Sequence, residues 1–263
     1  MIRITLVSYL NTKPFVEGLY REFFPEEMEL DERSPSDCAK ALMKGECDLA
    51  LIPVAAIDEI KGIEVLSSYC IGAEGNVDSV FLFSQVPIEE IEKVILDPDS
   101  RTSNLLVQIL FQKHWKQKAE FIPGEDRDFI RTSGKTARVG IGDEAHKLKG
   151  KFKYTYDLAG EWNKLTGLPF VFAVWAAKKG KINSEMEAKL NEAFSTGLEM
   201  LEDVAEMYFE EFGYTQKEAF DYLSNSLSFK LDEEKWDALE QFQEYAEELG
   251  EELVQADLQG KAN

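Results

Sequence analysis

Val7-Ser8-Tyr9-Leu10-Asn11-Thr12-Lys13-Pro14 follows directly on a short apolar strand, Ile2 to Val7. A first strand that ends in hydroxyls, an amide and a lysine puts polar groups at its carboxyl end. In open α/β sheets that is where ligands bind. The plain alternative for the same residues is a turn leading into a helix. With the strand beginning next to Met1, no basic n-region, apolar h-region or cleavage site precedes it, so the expected location is the cytoplasm.

Outward from this stretch, strands and helices alternate. Ser34-Pro35-Ser36-Asp37 reads as an N-cap, a proline at the first helical position and an acid closing the first turn. The predicted helix carries Cys38, Ala41 and Leu42 inward and stops at Gly45. Strands are expected at Asp48–Pro53, Ser79–Phe83, Val94–Leu96, Arg138–Gly142 and Phe170–Ala176. A short acidic helix is expected at Ile88–Glu92, and a longer one after Asp97-Pro98-Asp99, with Leu105, Leu106, Ile109 and Leu110 on one face. From Asn183 the pattern turns helical: Met186, Leu190, Phe194, Leu198, Leu201, Ala205 and Tyr208 form one stripe, and two further helices are expected near 216–224 and 232–249. Alternating β and α units predict a mainly parallel sheet with helices on both faces. The apolar stretches Val80–Phe83 and Phe170–Ala176 bracket a block sized for a second small lobe. A cleft between lobes is a common ligand site.

Composition narrows the function. The chain has 263 residues, 44% of them hydrophobic and 11% aromatic, enough for one large domain or two lobes. No apolar run approaches the roughly 18 residues that a membrane span needs. Cys38, Cys47 and Cys70 lack metal-ligand spacing and fit a reducing compartment. His114 and His146 are the only histidines, which excludes a histidine-rich metal site. Between Glu199 and Glu252, 18 acids face only Lys217, Lys230 and Lys235, a local net charge of −15 out of −21 for the chain. Those acids alternate with periodic apolar residues and so read as solvated helical faces. Without a basic stripe to neutralise phosphates, no nucleic-acid partner is expected.

Three segments concentrate donors at strand ends: Ser8, Tyr9, Asn11, Thr12 and Lys13; Ser79 at the head of an apolar strand; and Ser100-Arg101-Thr102-Ser103 at a helix start. A helix N-terminus with flanking hydroxyls can hold a carboxylate, and Arg101 could fork onto one. The ordinary alternative is that Ser100, Thr102 or Ser103 merely caps its helix. Gly140-Ile141-Gly142-Asp143 lacks the third glycine of a dinucleotide fingerprint. His114 and Trp162 read as structural, and His146 as a surface residue. No nucleophile elbow, Walker loop or paired-carboxylate spacing is found.

Taken in order, Ser8-Tyr9-Leu10-Asn11-Thr12-Lys13-Pro14, Gly45-Glu46-x-Asp48-Leu49-Ala50-Leu51-Ile52-Pro53, Ser79-Val80-x-Leu82-Phe83-Ser84, Asp97 with Ser100-Arg101-Thr102-Ser103, and Thr166 through Ala176 resemble the chorismate dehydratases of the futalosine route to menaquinone. The resemblance covers most of residues 2–178. It implies a type 2 periplasmic-binding-protein fold of two α/β lobes, 1–86 plus 171–263 and 87–170, with the apolar stretches as crossings. It implies a lyase that removes water from chorismate to give 3-[(1-carboxyvinyl)oxy]benzoate, without metal or organic cofactor. The sister naphthoate-forming enzyme begins with a Ser-Pro-Cys-Pro-Asn type motif, absent here. On this reading Asn11 and Ser79 face the reacting edge. Ser8, Tyr9, Thr12, Arg101, Thr102, Ser103, Gly142 and Asp143 bind substrate. The expected proton acceptor is the substrate's own enolpyruvyl carboxylate, with Asp143 or Glu161 as rivals. The competing class is a solute-binding protein of the same fold that holds a small carboxylate without turnover.

Overall fold

The computed structural model describes residues 1–125 and 132–260. The chain opens with β1 (Ile2–Val7), α1 (Lys13–Glu22), β2 (Met28–Arg33), α2 (Pro35–Lys44), β3 (Leu49–Pro53) and β4 (Ile63–Ala73). It continues through β5 (Val80–Ser84), β6 (Lys93–Leu96), α3 (Arg101–Ile109), β7 (Glu120–Pro123), β8 (Thr136–Ile141), α4 (Gly142–Lys147), β9 (Tyr154–Asp157) and α5 (Leu158–Thr166). β10 (Phe170–Lys178) is followed by α6 (Ser184–Leu198), α7 (Leu201–Phe212), α8 (Gln216–Asp221), β11 (Ser228–Lys230) and α9 (Glu233–Gly260).

Among the described residues these strands form two sheets, in the orders β11-β4-β10-β3-β1-β2 and β7-β6-β8-β5-β9. Both sheets are mixed, which corrects the expectation of mainly parallel ones. β1 pairs in parallel with β2 and β3, and β6 with β7 and β8. Helices α1, α2 and α3 supply the crossovers that parallel neighbours require. β5 and β10 carry the chain between the sheets and pair antiparallel with their neighbours. Because β5 is hydrogen-bonded into the second sheet, it is not the tail of the first lobe. We propose the division 1–86 plus 171–263 and 87–170 with its first boundary moved to just before Val80.

Local chemistry explains the element ends. Ser34 caps α2 by accepting from the Asp37 N–H at 3.3 Å, Pro35 takes the first turn, and Gly45 closes it at φ 72°. All five residues of β3 are buried, as a central strand requires. The expected acidic helix at 88–92 is a single 3-10 turn, Ile88–Glu90. The stripe from Met186 to Tyr208 breaks at Glu199 and Met200, so that it spans two helices. α6 lies very close to α1: a Cβ on Gly18 would sit 1.8 Å from the Ala193 carbonyl oxygen, and one on Gly197 1.8 Å from that of Pro14. Beneath this crossing, Phe194 stacks on Trp175 at 4.6 Å and meets the edge of Phe15 at 4.9 Å. The acids of α7, such as Glu202, Asp203 and Glu206, are exposed while Val204 and Ala205 are buried, the solvated face read from the sequence. No described helix is long and apolar enough to cross a membrane.

Candidate active site

Between the sheets lies a cleft, the kind of place where small-molecule sites form. Its walls are mostly apolar, with Leu51, Pro53, Ile71, Val77, Ile141 and Phe172 among them. Polar groups reach it from Tyr9, Asn11 and Thr12 after β1, Ser79 before β5, and Ser100, Thr102 and Ser103 at the start of α3. Gly142, at the end of β8, also lines it. The three donor-rich segments of the sequence therefore meet in one place.

Each segment is held by its own local bonds. Ser100 is the cap of α3, accepting from the Ser103 N–H at 3.2 Å. This fixes a helix N-terminus at the cavity wall, where backbone N–H groups and the helix dipole favour an anion. The Thr102 hydroxyl is occupied across the cleft: it donates to the Phe172 carbonyl at 3.3 Å and accepts from the Ala55 N–H at 3.4 Å. Thr12 turns its hydroxyl onto the Val7 carbonyl at 2.6 Å, pinning the loop after β1 rather than offering a free donor. Gly142 has φ 70°, and a Cβ there would meet the Tyr9 ring at 3.0 Å, so the glycine lets Tyr9 lie against the opposite lobe.

Ser79 owes its position to Asp78, a non-glycine residue at φ 60°. Asp tolerates this left-handed conformation when its polar groups are locally bonded. The Asp78 N–H donates to Asp157 at 2.8 Å, its carbonyl accepts from His146 Nδ1 at 2.9 Å, and its carboxylate accepts from Ser226 Oγ at 3.1 Å. His146 is thus half-buried and bonded rather than a surface residue, and its ring packs on Tyr214 at 4.5 Å.

Several sequence candidates do not reach the cavity. Ser8 is exposed, its N–H bonded to the Arg33 carbonyl at 3.0 Å in line with the β1–β2 ladder. Arg101 points to the rim, where its guanidinium pairs with Glu59 of the other lobe. Lys13 is buried beneath α7, 2.9 Å from Glu32 and over the Tyr208 ring. Among the described residues that line the cleft, none is cationic. Asp143 sits just behind the wall, accepting from the Leu10 N–H at 3.3 Å and the Tyr214 hydroxyl at 3.0 Å. Burial raises its carboxyl to about 6 against those two bonds. Glu161 is not among the cleft-lining residues and is bonded to His114 Nε2 at 2.9 Å, Trp115 Nε1 at 3.1 Å and Lys164 Nζ at 2.6 Å.

The sequence reading missed Tyr222. This fully buried residue follows α8, and its hydroxyl donates to Ser79 Oγ at 2.9 Å and accepts from Asn11 Nδ2 at 3.4 Å. Its ring stacks on Tyr214 at 5.8 Å. Nothing local in Asp221-Tyr222-Leu223 marks it, because the contacts that matter lie 143 and 211 residues away.

Comparison with known proteins agrees with this architecture. The chain is 26% identical over 227 residues to a chorismate dehydratase from Thermus thermophilus, covering 76% of this chain and 79% of that protein. Among solved structures it resembles protein AF1704 from Archaeoglobus fulgidus, with a TM-score of 0.74 at 14% identity over 95% of this chain and 97% of the other. The Candida albicans CA3427 gene product, described as having the generic periplasmic binding protein fold, superposes with a TM-score of 0.64 at 11% identity, over 95% and 90% of the two chains. The two-lobed architecture is accordingly periplasmic-binding-protein-like. The family model described as menaquinone biosynthesis matches residues 2–248, and the chain belongs to that family.

Proposed function

We propose that the protein is a carbon–oxygen lyase that dehydrates chorismate to 3-[(1-carboxyvinyl)oxy]benzoate. The observation that carries this reading is the convergence of Asn11, Ser79 and the α3 N-terminus on one mostly apolar cleft. The likeness to the Thermus thermophilus enzyme of that name supports it.

Chorismate carries two carboxylates and a ring that becomes aromatic once water is lost. The proton leaves the carbon that bears the enolpyruvyl ether, acidified through the conjugated ring carboxylate. Hydroxide leaves the adjacent carbon, and the two combine as water, so no oxidant or reductant is consumed. Aromatisation drives the step, and the protein's task is to orient the ring and stabilise developing charge. The start of α3 grips one carboxylate through its backbone N–H groups and Ser103. Asn11 and Ser79 address the reacting edge. The enolpyruvyl carboxylate, folded over the ring, accepts the proton. Asp143 and Glu161 are poorer acceptors, since neither lines the cleft and both carboxylates are already bonded to protein donors.

The direct test is incubation of the purified protein with chorismate and detection of the enolpyruvyl benzoate by mass and ultraviolet absorbance. Product formed in proportion to enzyme is the expected result. Saturable binding with chorismate recovered intact would instead mark a solute-binding protein.

A further inference from the structure

Tyr222 joins the two side chains that face the reacting edge. A phenol has one hydrogen to give, and here it goes to Ser79 Oγ at 2.9 Å, while a lone pair receives Asn11 Nδ2–H at 3.4 Å. Ser79 already accepts from Tyr222, so its own hydrogen cannot return there and is directed elsewhere, with the cavity adjoining it. Asn11 spends one amide hydrogen on Tyr222, which leaves Oδ1 and a second N–H. Oδ1 is buried, has no hydrogen-bond partner, and belongs to a residue that lines the cleft. A buried acceptor without a donor is costly, and a ligand hydroxyl that reached it would relieve that cost. Burial also holds the Tyr222 phenol well above its ordinary range, so it stays protonated through neutral pH.

We infer that Tyr222 is a positioning residue that sets Asn11 and Ser79 as an acceptor–donor pair, so that the cleft takes a ligand with a ring hydroxyl at Asn11 and an oxygen acceptor at Ser79. This rests on the dehydratase reading and deepens it. The departing hydroxyl donates to Asn11 Oδ1, and an ether or carboxylate oxygen of the same substrate receives the Ser79 hydrogen. A carboxylate oxygen is turned away from Oδ1 itself, because two acceptors would face each other there. Tyr222 itself does not line the cavity. It acts through its neighbours and places the C-terminal quarter of the chain behind the chemistry.

The test is a double-mutant cycle of Tyr222→Phe and Ser79→Ala, read in single-turnover assays with chorismate. Phenylalanine keeps the ring that stacks on Tyr214 and removes only the relay. Tyr222→Phe should lower the rate constant by about 10- to 100-fold, as misorientation of a reacting pair does, with substrate affinity nearly unchanged. Its melting temperature should fall by no more than about 4 °C. In the Ser79→Ala background the same substitution should cost far less. Losses that multiply independently in the two backgrounds, or a Tyr222→Phe enzyme of parental rate, would overturn the inference. If the unaltered chain forms no product, the dehydratase reading fails by itself. The relay is then read from the Asn11 side-chain amide protons in nitrogen-15 spectra. Their shift and slow solvent exchange should be lost in Tyr222→Phe, and unchanged resonances would overturn the proposal.

Discussion

Asn11 can be replaced in two ways that separate charge from hydrogen bonding. Asn11→Ala removes the acceptor, whereas Asn11→Asp sets a carboxylate beside a doubly negative ligand in an apolar cleft. Like-charge repulsion should weaken chorismate binding to Asn11→Asp by about tenfold or more, beyond the effect of alanine. Titration calorimetry measures this, and two variants that bind and turn over like the parent would remove Asn11 from the site. Asp143 offers a test by pH. Its buried carboxyl keeps a proton to about pH 6 in the folded chain, whereas the unfolded chain releases it near about pH 3.9. The folded state therefore binds the extra proton within that window. The group's contribution is complete below about pH 4 and is lost as pH rises through 6, a swing of roughly 3 kcal/mol. Asp143→Asn keeps an acceptor for Tyr214 and has no proton to lose. Urea melts should show it more stable than the parent at pH 7, with the advantage gone near pH 4. Its turnover, like that of Glu161→Gln, should stay close to parental, since neither carboxylate is asked to take the proton.

The junction of β8 and α4 depends on a backbone conformation as much as on a side chain. Gly142→Ala would put a Cβ at φ 70°, 3.0 Å from the Tyr9 ring. The conformation alone costs about 1–2 kcal/mol. Tyr9, which lines the cleft, must also shift, so ligand affinity should fall together with the melting temperature. A loss of stability with unaltered affinity would show that Tyr9 does not border the bound ligand. The same scale explains what the sequence made legible. α2 announced itself through Ser34, Pro35 and Gly45, because caps and turns are decided within a few residues. β3 announced itself through an unbroken apolar run. β2, by contrast, is Met-Glu-Leu-Asp-Glu-Arg, and its charged residues become a strand only by pairing with β1 along six registers. The break between α6 and α7 was equally hidden, since the apolar stripe continues through Leu198 and Leu201 while the backbone turns at Met200.

Across the whole molecule, the donor-rich motifs were readable because each lies at the end of a strand that local pattern identifies. What could not be read was direction and partnership. Arg101 is drawn to Glu59 across the cleft and Lys13 to Glu32, so two cations that the sequence offered to a ligand are spent on the protein. Tyr222 was invisible for the converse reason: it gains meaning only when the last helices fold back over β5 and the loop after β1. The link from Asn11 to Tyr222 spans 211 residues of chain. More than 200 residues must consequently be made before the cleft acquires its rear wall. A ribosome-stalled chain ending at residue 215 should leave chorismate unprocessed even where its first strands have already paired, and release of the full-length product should switch the activity on. On the dehydratase reading, the nascent chain would gain its full activity only late in its emergence, once the phenol of Tyr222 had been added behind the cleft.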